Sequence, residues 1–123
     1  MSEIRFRAWD KEAKQFLHDI QNEWGGADGD YPPFPFYIDN KNFVVEQYTG
    51  IKDKNDEKIY EGDIVIYKNG FKYYVEWSEI NAMWCLVQIR TKLAIPYTGG
   101  INGQDIHRCE VIGNLHENPE LMK

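Results

Sequence analysis

Residues 47–65 read QYTGIKDKNDEKIYEGDIV and carry the clearest structural signals of the chain. Gly50 and Gly62 are typical of turns, and the charged run between them is typical of a polar hairpin tip. An apolar strand begins at Ile64. The stretch therefore predicts strands joined by tight turns, and it holds no residues arranged for catalysis.

A second turn signal follows at Asn69-Gly70, between two apolar runs. Both residues tolerate positive φ, so the pair predicts a two-residue type I′ turn. Such a turn fixes the register, with Ile66 opposite Tyr73 and Val65 opposite Tyr74. We then expect a core face and a wetter face. The core face would carry Ile64, Ile66, Phe71, Tyr73, Val75 and Trp77, and the wetter face Val65, Tyr67, Lys72, Tyr74 and Glu76.

Before this region, residues 3–9 alternate between apolar and polar side chains, which predicts a half-buried strand. Residues 15–20 predict a returning strand after a polar turn. A helix over residues 10–20 is the alternative, because Ala13, Phe16, Leu17 and Ile20 also fit helical spacing. We favour the hairpin.

Residues 21–42 predict a long loop, because glycines and prolines interrupt any periodic pattern. A solvated linker does not need large apolar side chains, so we expect the loop to pack on its own domain or to dock on a partner. A short strand over residues 43–48 should follow. The loop carries five aromatic residues, namely Trp24, Tyr31, Phe34, Phe36 and Tyr37.

The C-terminal part also predicts short strands, over residues 83–90 and 109–115, with an edge strand at 93–97. Gly113 is expected to form a β-bulge, and Asn118-Pro119 predicts a helical turn at 119–122. Many short strands favour a mainly β fold with a small curved sheet or barrel. A Gly-Asp pair before an apolar strand, here Gly62-Asp63, recurs in SH3-like barrels, which we use as an analogy.

Length and composition narrow the class of protein. The chain has 123 residues, a net charge of −6 and a pI near 5.0, which argues against a general nucleic-acid binder. Two cysteines do not make a disulfide framework. No segment resembles a signal peptide, and no apolar run is long enough to cross a bilayer. We expect a cytoplasmic protein with reduced thiols and no membrane partner.

Several groups of residues imitate catalytic or metal sites. Residues 53–57 resemble a calcium loop, but Lys58 stands where that loop needs glycine, so a solvated hairpin tip is the better interpretation. Asp10, Glu12 and Lys14 have the spacing of a nuclease site, yet they share one short turn. We interpret that group as a solvated turn too.

A zinc site would need paired ligands, and the chain lacks the usual paired spacings. His107 and Cys109 could share a strand face, with Cys85 or His116 as further ligands, but buried cysteines are the simpler interpretation. No nucleophile stands in a recognisable sequence pattern with a base. We predict no catalytic residues, no metal and no cofactor.

One alternative function remains open from the residues. Tyr67, Lys72 and Tyr74 on the expected wetter face could stack with and pair to single-stranded nucleic acid. Cross-strand packing that covers the sheet would explain the same residues. The net acidity makes nucleic acid an unexpected partner, and a metal-dependent enzyme is a weaker alternative still.

Three blocks of the sequence, in order, resemble the YopX family. They are IRFRAWD at residues 4–10, QYTGIKDKN and IYEGDIV within residues 47–65, and EVIGNLHENPEL at residues 110–121. The chain departs from the family pattern at Asp56, where glycine often follows the turn asparagine. It also has its own version of the 21–42 segment, so any partner specificity of that loop does not transfer.

The resemblance implies a phage or prophage protein that is predominantly β, with an SH3-like barrel, and that forms homo-oligomers. The family has no established biochemical activity, so the resemblance carries over no catalytic residues. We therefore predict an N-terminal β portion over residues 1–48, serving oligomerisation, and an SH3-like barrel over 49–123. The predicted function is a non-catalytic protein-binding module or regulator in the bacterial cytoplasm, whose partner is a host or phage protein.

Overall fold

The computed structural model describes residues 4–21, 34–68, 70–80, 82–96 and 108–123. Nine strands and one α-helix lie in these ranges, and the strand pairings are antiparallel. The predicted mainly β fold with little helix is confirmed. In chain order the elements are β1 (Phe6–Asp10), β2 (Gln15–His18), α1 (Phe34–Asp39), β3 (Phe43–Lys52), β4 (Lys58–Tyr60), β5 (Asp63–Ile66), β6 (Lys72–Ser78), β7 (Met83–Gln88), β8 (Ala94–Pro96), β9 (Glu110–Asn114) and a 3-10 helix (Pro119–Met122).

The chain divides into two compact units, Met1–Tyr48 and Thr49–Lys123. In the first unit, β1 pairs with β2 and with the first half of β3. The β1–β2 hairpin confirms the strand interpretation of residues 15–18 over a helix. Ala8 of β1, Ile20 after β2 and Tyr37 of α1 form the buried core of this unit.

One prediction for this unit is wrong. Residues 34–39, expected to belong to a long loop, form α1. Pro35 is typical of loops, but proline is tolerated in the first turn of a helix because its missing N–H has no partner there. The helix forms because it buries Tyr37, which is 3% exposed, against the core of its unit.

In the second unit, β4 adjoins the last part of β3, and five strands form a sheet in the order β8-β7-β6-β5-β9. The expected edge position of β8 is confirmed. The core of this unit gathers side chains from several strands, including Ile59, Val65, Val75, Leu86 and Cys109. The SH3-like character of the second unit and an oligomerisation role for the first unit stay predictions.

The predicted register of the β5–β6 hairpin is wrong by one residue. Ile66 pairs with Lys72 and Val65 with Tyr73, and three residues rather than two connect Tyr67 to Phe71. Gly70 has φ +89°, as in three-residue loops that end in a left-handed residue. Asn69 itself lies outside the described residues. The shift moves Val65 and Tyr67 from the expected wetter face into the core, where they join Tyr73 and Val75, whose core position was predicted correctly.

The C-terminal strand bends at a β-bulge. The register shifts so that Ile64 pairs with Gly113 and Val65 with Val111, which leaves Ile112 as the extra residue beside the expected position. Gly113 has a packing reason to be glycine, since an added Cβ would lie 2.5 Å from the Oδ1 atom of Asn118. Asn118 then begins the predicted 3-10 helix with Pro119 in its first turn, although its side chain makes no cap hydrogen bond.

Candidate functional site

The five aromatic residues singled out in the sequence do not form one group. Trp24 and Tyr31 lie outside the described residues. Phe34 packs on the core of the first unit, with its ring centroid 4.9 Å from that of Phe6, and Tyr37 is buried with its ring centroid 5.1 Å from that of Phe43. These two residues therefore anchor α1 to its own unit.

We call the exposed side chains of α1 on either side of the buried Tyr37 its outer face, namely Pro35, Phe36, Ile38 and Asp39. The Phe36 ring also lies 5.8 Å from the Phe43 ring, measured between centroids. Phe36 is 43% exposed and Ile38 is 58% exposed. Phe36 stood out in the sequence as an aromatic residue, whereas Ile38 did not, because nothing local indicates that residues 34–39 are helical. A helical reading of residues 34–39 would have placed Phe36 and Ile38 on either side of Tyr37.

The three residues of the predicted nucleic-acid surface, Tyr67, Lys72 and Tyr74, do not lie on one face of the sheet. Tyr67 lies in the core of the second unit, 8% exposed, with its ring edge-on to Tyr73 at 5.5 Å between centroids. Lys72 and Tyr74 lie on the opposite face of the sheet, half-buried. Burial, followed by the charge of Glu76, raises the pKa of the Tyr74 hydroxyl. The wrong hairpin register is the reason for the false grouping.

Lys72 instead borders a cavity of about 240 Å³ in the second unit. The hairpin loop before β6, the turn after β7 and the 3-10 helix contribute to its walls. Its lining residues include Gly70, Phe71, Lys72, Arg90, Leu121 and Lys123.

Asp10 is the turn-forming acid of the β1–β2 hairpin. Its Oδ1 atom accepts hydrogen bonds from the N–H groups of Ala13 at 2.9 Å and Glu12 at 3.0 Å and from the Asn42 amide at 2.8 Å. Donation from Ala13 first, and then from Asn42, holds the pKa of this carboxyl below its usual value of 3.8. The geometry fits the predicted turn.

Asp53 differs from the solvated tip residue that we expected, because it is only 5% exposed. Its Oδ1 atom accepts from the N–H groups of Asn55 at 2.8 Å and Glu57 at 2.9 Å, and its Oδ2 atom accepts from the N–H of Val111 at 2.9 Å. One carboxylate therefore closes the β3–β4 turn and ties it to β9. The calcium-like spacing is the sequence pattern of this structural turn.

Cys85 and Cys109 are buried and form no disulfide bond. Burial, and then the charge of Glu76, raises the pKa of the Cys85 thiol, which lowers its reactivity at neutral pH. His107 lies outside the described residues. Within the described ranges, no three His, Cys, Asp or Glu side chains come together in a way that could hold a metal ion.

Comparison with known proteins gives the family. Residues 5–123 match the family described as "YopX protein", which is nearly the whole chain. The chain belongs to the YopX family. The sequence resemblance drawn from the three blocks is thereby confirmed.

The fold of this YopX chain is also similar to a solved structure, the crystal structure of protein EF1440 from Enterococcus faecalis. The TM-score is 0.68 at 25% sequence identity, and the match covers 100% of each chain. A search of curated proteins returned no match. Neither helix in the described part of the chain has the length and hydropathy of a membrane span.

Proposed function

We propose that this YopX protein is a non-catalytic protein-binding module that associates with a second copy of itself through the outer face of α1. The observation that carries the proposal is the exposure of Phe36 and Ile38 on a helix that Tyr37 fixes to the core. Large apolar side chains on a rigid element are the usual anchors of protein interfaces.

A second copy is the occupant that best fits the chemistry of this face. In a symmetric dimer the same patch contacts itself, so the patch must be self-complementary. An apolar patch meets this condition, whereas a patch of one charge repels its copy. Phe36 and Ile38 are uncharged, and Asp39 is the one charged residue of α1.

Other elements of the function follow from the family resemblance and stay proposals. They are the phage or prophage origin, the location in the bacterial cytoplasm, and a host or phage protein as an additional partner. The variable segment of residues 21–42 continues into α1, so it is a suitable place for partner specificity.

The test is the molar mass in solution, measured by light scattering across a concentration series. We expect the wild-type chain to self-associate and the Phe36→Ser/Ile38→Ser variant to shift towards the monomer. The matched control is Ile80→Ser/Leu93→Ser, which removes two side chains that are 95% and 66% exposed elsewhere. This control should associate like the wild type.

Two outcomes would contradict the proposal. The first is a wild-type chain that stays monomeric throughout the concentration series. The second is an equal loss of association in both double variants, which would indicate non-specific apolar contacts. A monomer that captures one other protein through Phe36 and Ile38 would support a hetero-partner and overturn self-association.

The alternative function, binding of single-stranded nucleic acid, is supported by fewer residues than the sequence pattern predicts. Tyr67 is buried, so Lys72 and Tyr74 alone are left of the proposed surface. Binding that weakens as salt rises, measured with a labelled oligonucleotide, would support this alternative. Binding that is absent or insensitive to salt would exclude it.

A further inference from the structure

The cavity beside Lys72 has the size of a small-ligand site. Its volume is about 240 Å³, below the roughly 300–1,000 Å³ that is typical for drug-sized ligands. It therefore suits one compact ligand rather than a dinucleotide cofactor or a peptide of several residues. The lining residues that belong to the described part of the chain all lie in the second unit.

The charged side chains that line the cavity are opposite in sign to the net charge of the chain. The protein carries a net charge of −6, yet in the described part of the chain the charged side chains that line this cavity are all basic, namely Lys72, Arg90 and Lys123. Elsewhere Arg5 and Arg7 are held by Asp19 and Glu46.

The side chains of Lys72 and Arg90 are available to a ligand. Neither side chain forms a hydrogen bond or an ion pair with another residue in the described ranges, so their donors face no competing acceptor there. Lys72 begins β6 and Arg90 follows β7. A hydrogen bond of 3.1 Å from the Ile89 N–H to the Lys72 carbonyl oxygen ties the two segments together. This backbone hydrogen bond fixes the two segments side by side, and both basic residues line the same cavity.

An aromatic ring and an open wall complete the cavity. Phe71 is 46% exposed beside the cationic residues. Gly70 leaves the adjacent wall without a side chain, and a Cβ at that position would meet no atom within 4 Å. A ring face beside cationic donors is the combination that binds nucleotides, because the base stacks on the ring while the phosphate pairs with the cations.

We propose that this cavity binds a single nucleotide, with its phosphate on Lys72 and Arg90 and its base against Phe71. A short ligand is favoured over a nucleic-acid strand because the net acidity repels a long polyanion. The Debye length is about 8 Å at physiological salt, so charges within that distance are only partly screened. A small phosphate ligand beside the two cations is therefore still attracted to them.

The first test uses the full chain and adenosine monophosphate as the probe. Titration monitored by NMR should shift the amide resonances of Gly70 to Lys72 and of Gln88 to Arg90. Inorganic phosphate should bind more weakly, and adenosine without phosphate more weakly still. No shifts up to millimolar probe would overturn the proposal. Phosphate or an acidic peptide binding as tightly as the nucleotide would also overturn it, and so would an oligonucleotide binding more tightly.

The second test compares two variants that remove the same charge. Arg90→Gln should raise the Kd for adenosine monophosphate about tenfold or more, because it removes one charge-assisted hydrogen bond. Lys92→Gln is the matched control, since Lys92 is exposed in the same turn but does not line the cavity. It should change the Kd by no more than about twofold. Equal weakening in both variants would indicate general electrostatics and overturn the assignment.

A third variant separates base from phosphate. Phe71→Ala should weaken binding of adenosine monophosphate and leave binding of inorganic phosphate unchanged, because only the nucleotide contacts the ring. Equal effects on both probes would remove the stacking contact from the proposal. Phe36→Ser/Ile38→Ser should bind the nucleotide like the wild type, so failure of the self-association proposal leaves this one standing.

Discussion

Arg7 and Glu46 lie opposite each other on β1 and β3 and form a buried ion pair. The Arg7 Nε atom donates to the Glu46 Oε1 atom at 3.0 Å, and the two side chains are 7% and 5% exposed. The guanidinium carbon also lies 4.2 Å from the centroid of the Phe16 ring. A charge pair at the centre of a small sheet stabilises the fold only while both partners are present.

Removing one partner of this pair should be costly. Arg7→Met leaves the Glu46 carboxylate buried without its counter-charge, so we expect a loss of about 3–5 kcal/mol in the free energy of unfolding. Glu46→Leu should cost a similar amount, while the double variant should cost much less than the sum. Urea unfolding followed by circular dichroism measures all three variants. Single effects that simply add would contradict the coupling.

Asp53→Asn tests the acid that closes the β3–β4 turn. The variant keeps an acceptor for Asn55 and Glu57 but turns an NH₂ group towards the Val111 N–H, so two donors face each other. We expect a loss of about 1–3 kcal/mol by urea unfolding. Asp56→Asn is the control, because the Asp56 side chain is exposed and its ion pair with Lys52 spans 3.5 Å. The control should cost about 0.5 kcal/mol or less, and equal losses would refute the role of Asp53.

Gly113→Ala should destabilise the protein by about 1–3 kcal/mol through overpacking, since the new methyl group would meet the Asn118 side chain. Adding Asn118→Ala should recover most of that loss. Gly70→Ala gives the contrast, because strain there comes from φ +89° rather than from a neighbour. Asn118→Ala should therefore leave the cost of Gly70→Ala unchanged in thermal or urea unfolding.

Tyr37 and Phe36 are adjacent on α1 but should respond differently to truncation. Tyr37→Ala removes a ring that is 3% exposed in the core, so we expect a loss of about 3–5 kcal/mol in stability. Phe36→Ala removes a ring that is 43% exposed and should cost less than about 1 kcal/mol. Urea unfolding below the association concentration decides between them. Comparable losses would mean that Phe36 serves the core and not an interface.

The turn acid Asp10 should make stability depend on pH at the acidic end. Its pKa in the folded chain is below 3.8, because the Ala13 N–H and the Asn42 amide stabilise the carboxylate. The stabilisation is therefore present above pH 3.8 and lost as the pH falls through the lower folded value. Asp10→Asn should flatten the stability profile in this window. An Asp10 carboxyl titration by NMR with its midpoint at or above 3.8 would contradict this expectation.

Local patterns predicted the elements that depend on local physics. Alternation along residues 3–9 and the polar turn after Asp10 were enough for the β1–β2 hairpin, because one face of each strand is buried and the other is not. Pro119 marked the 3-10 helix for a similar reason, since proline fixes φ at a helix start. Cys85 and Cys109 were correctly expected to be buried.

Predictions that depended on distant partners failed. The run Ile64-Val65-Ile66 does not alternate in polarity, so it could not indicate which face meets the core, and the turn signal then set the wrong register. α1 was not predicted because Pro35 is typical of loops. The helix is stabilised by the packing of Tyr37 on the core of its unit, which the local sequence does not show. The buried role of Asp53 depends on the Val111 N–H, which is 58 residues away in sequence.

The family, the mainly β class and the turns can be predicted from the sequence, because they follow from short-range patterns of glycine, proline and alternating side chains. The folded structure was needed to show which aromatic residues are anchors and which are exposed, and that Lys72 and Arg90 line one cavity. Burial and proximity depend on pairing between segments far apart in the chain. A local sequence pattern does not specify which distant segments pair or in which register.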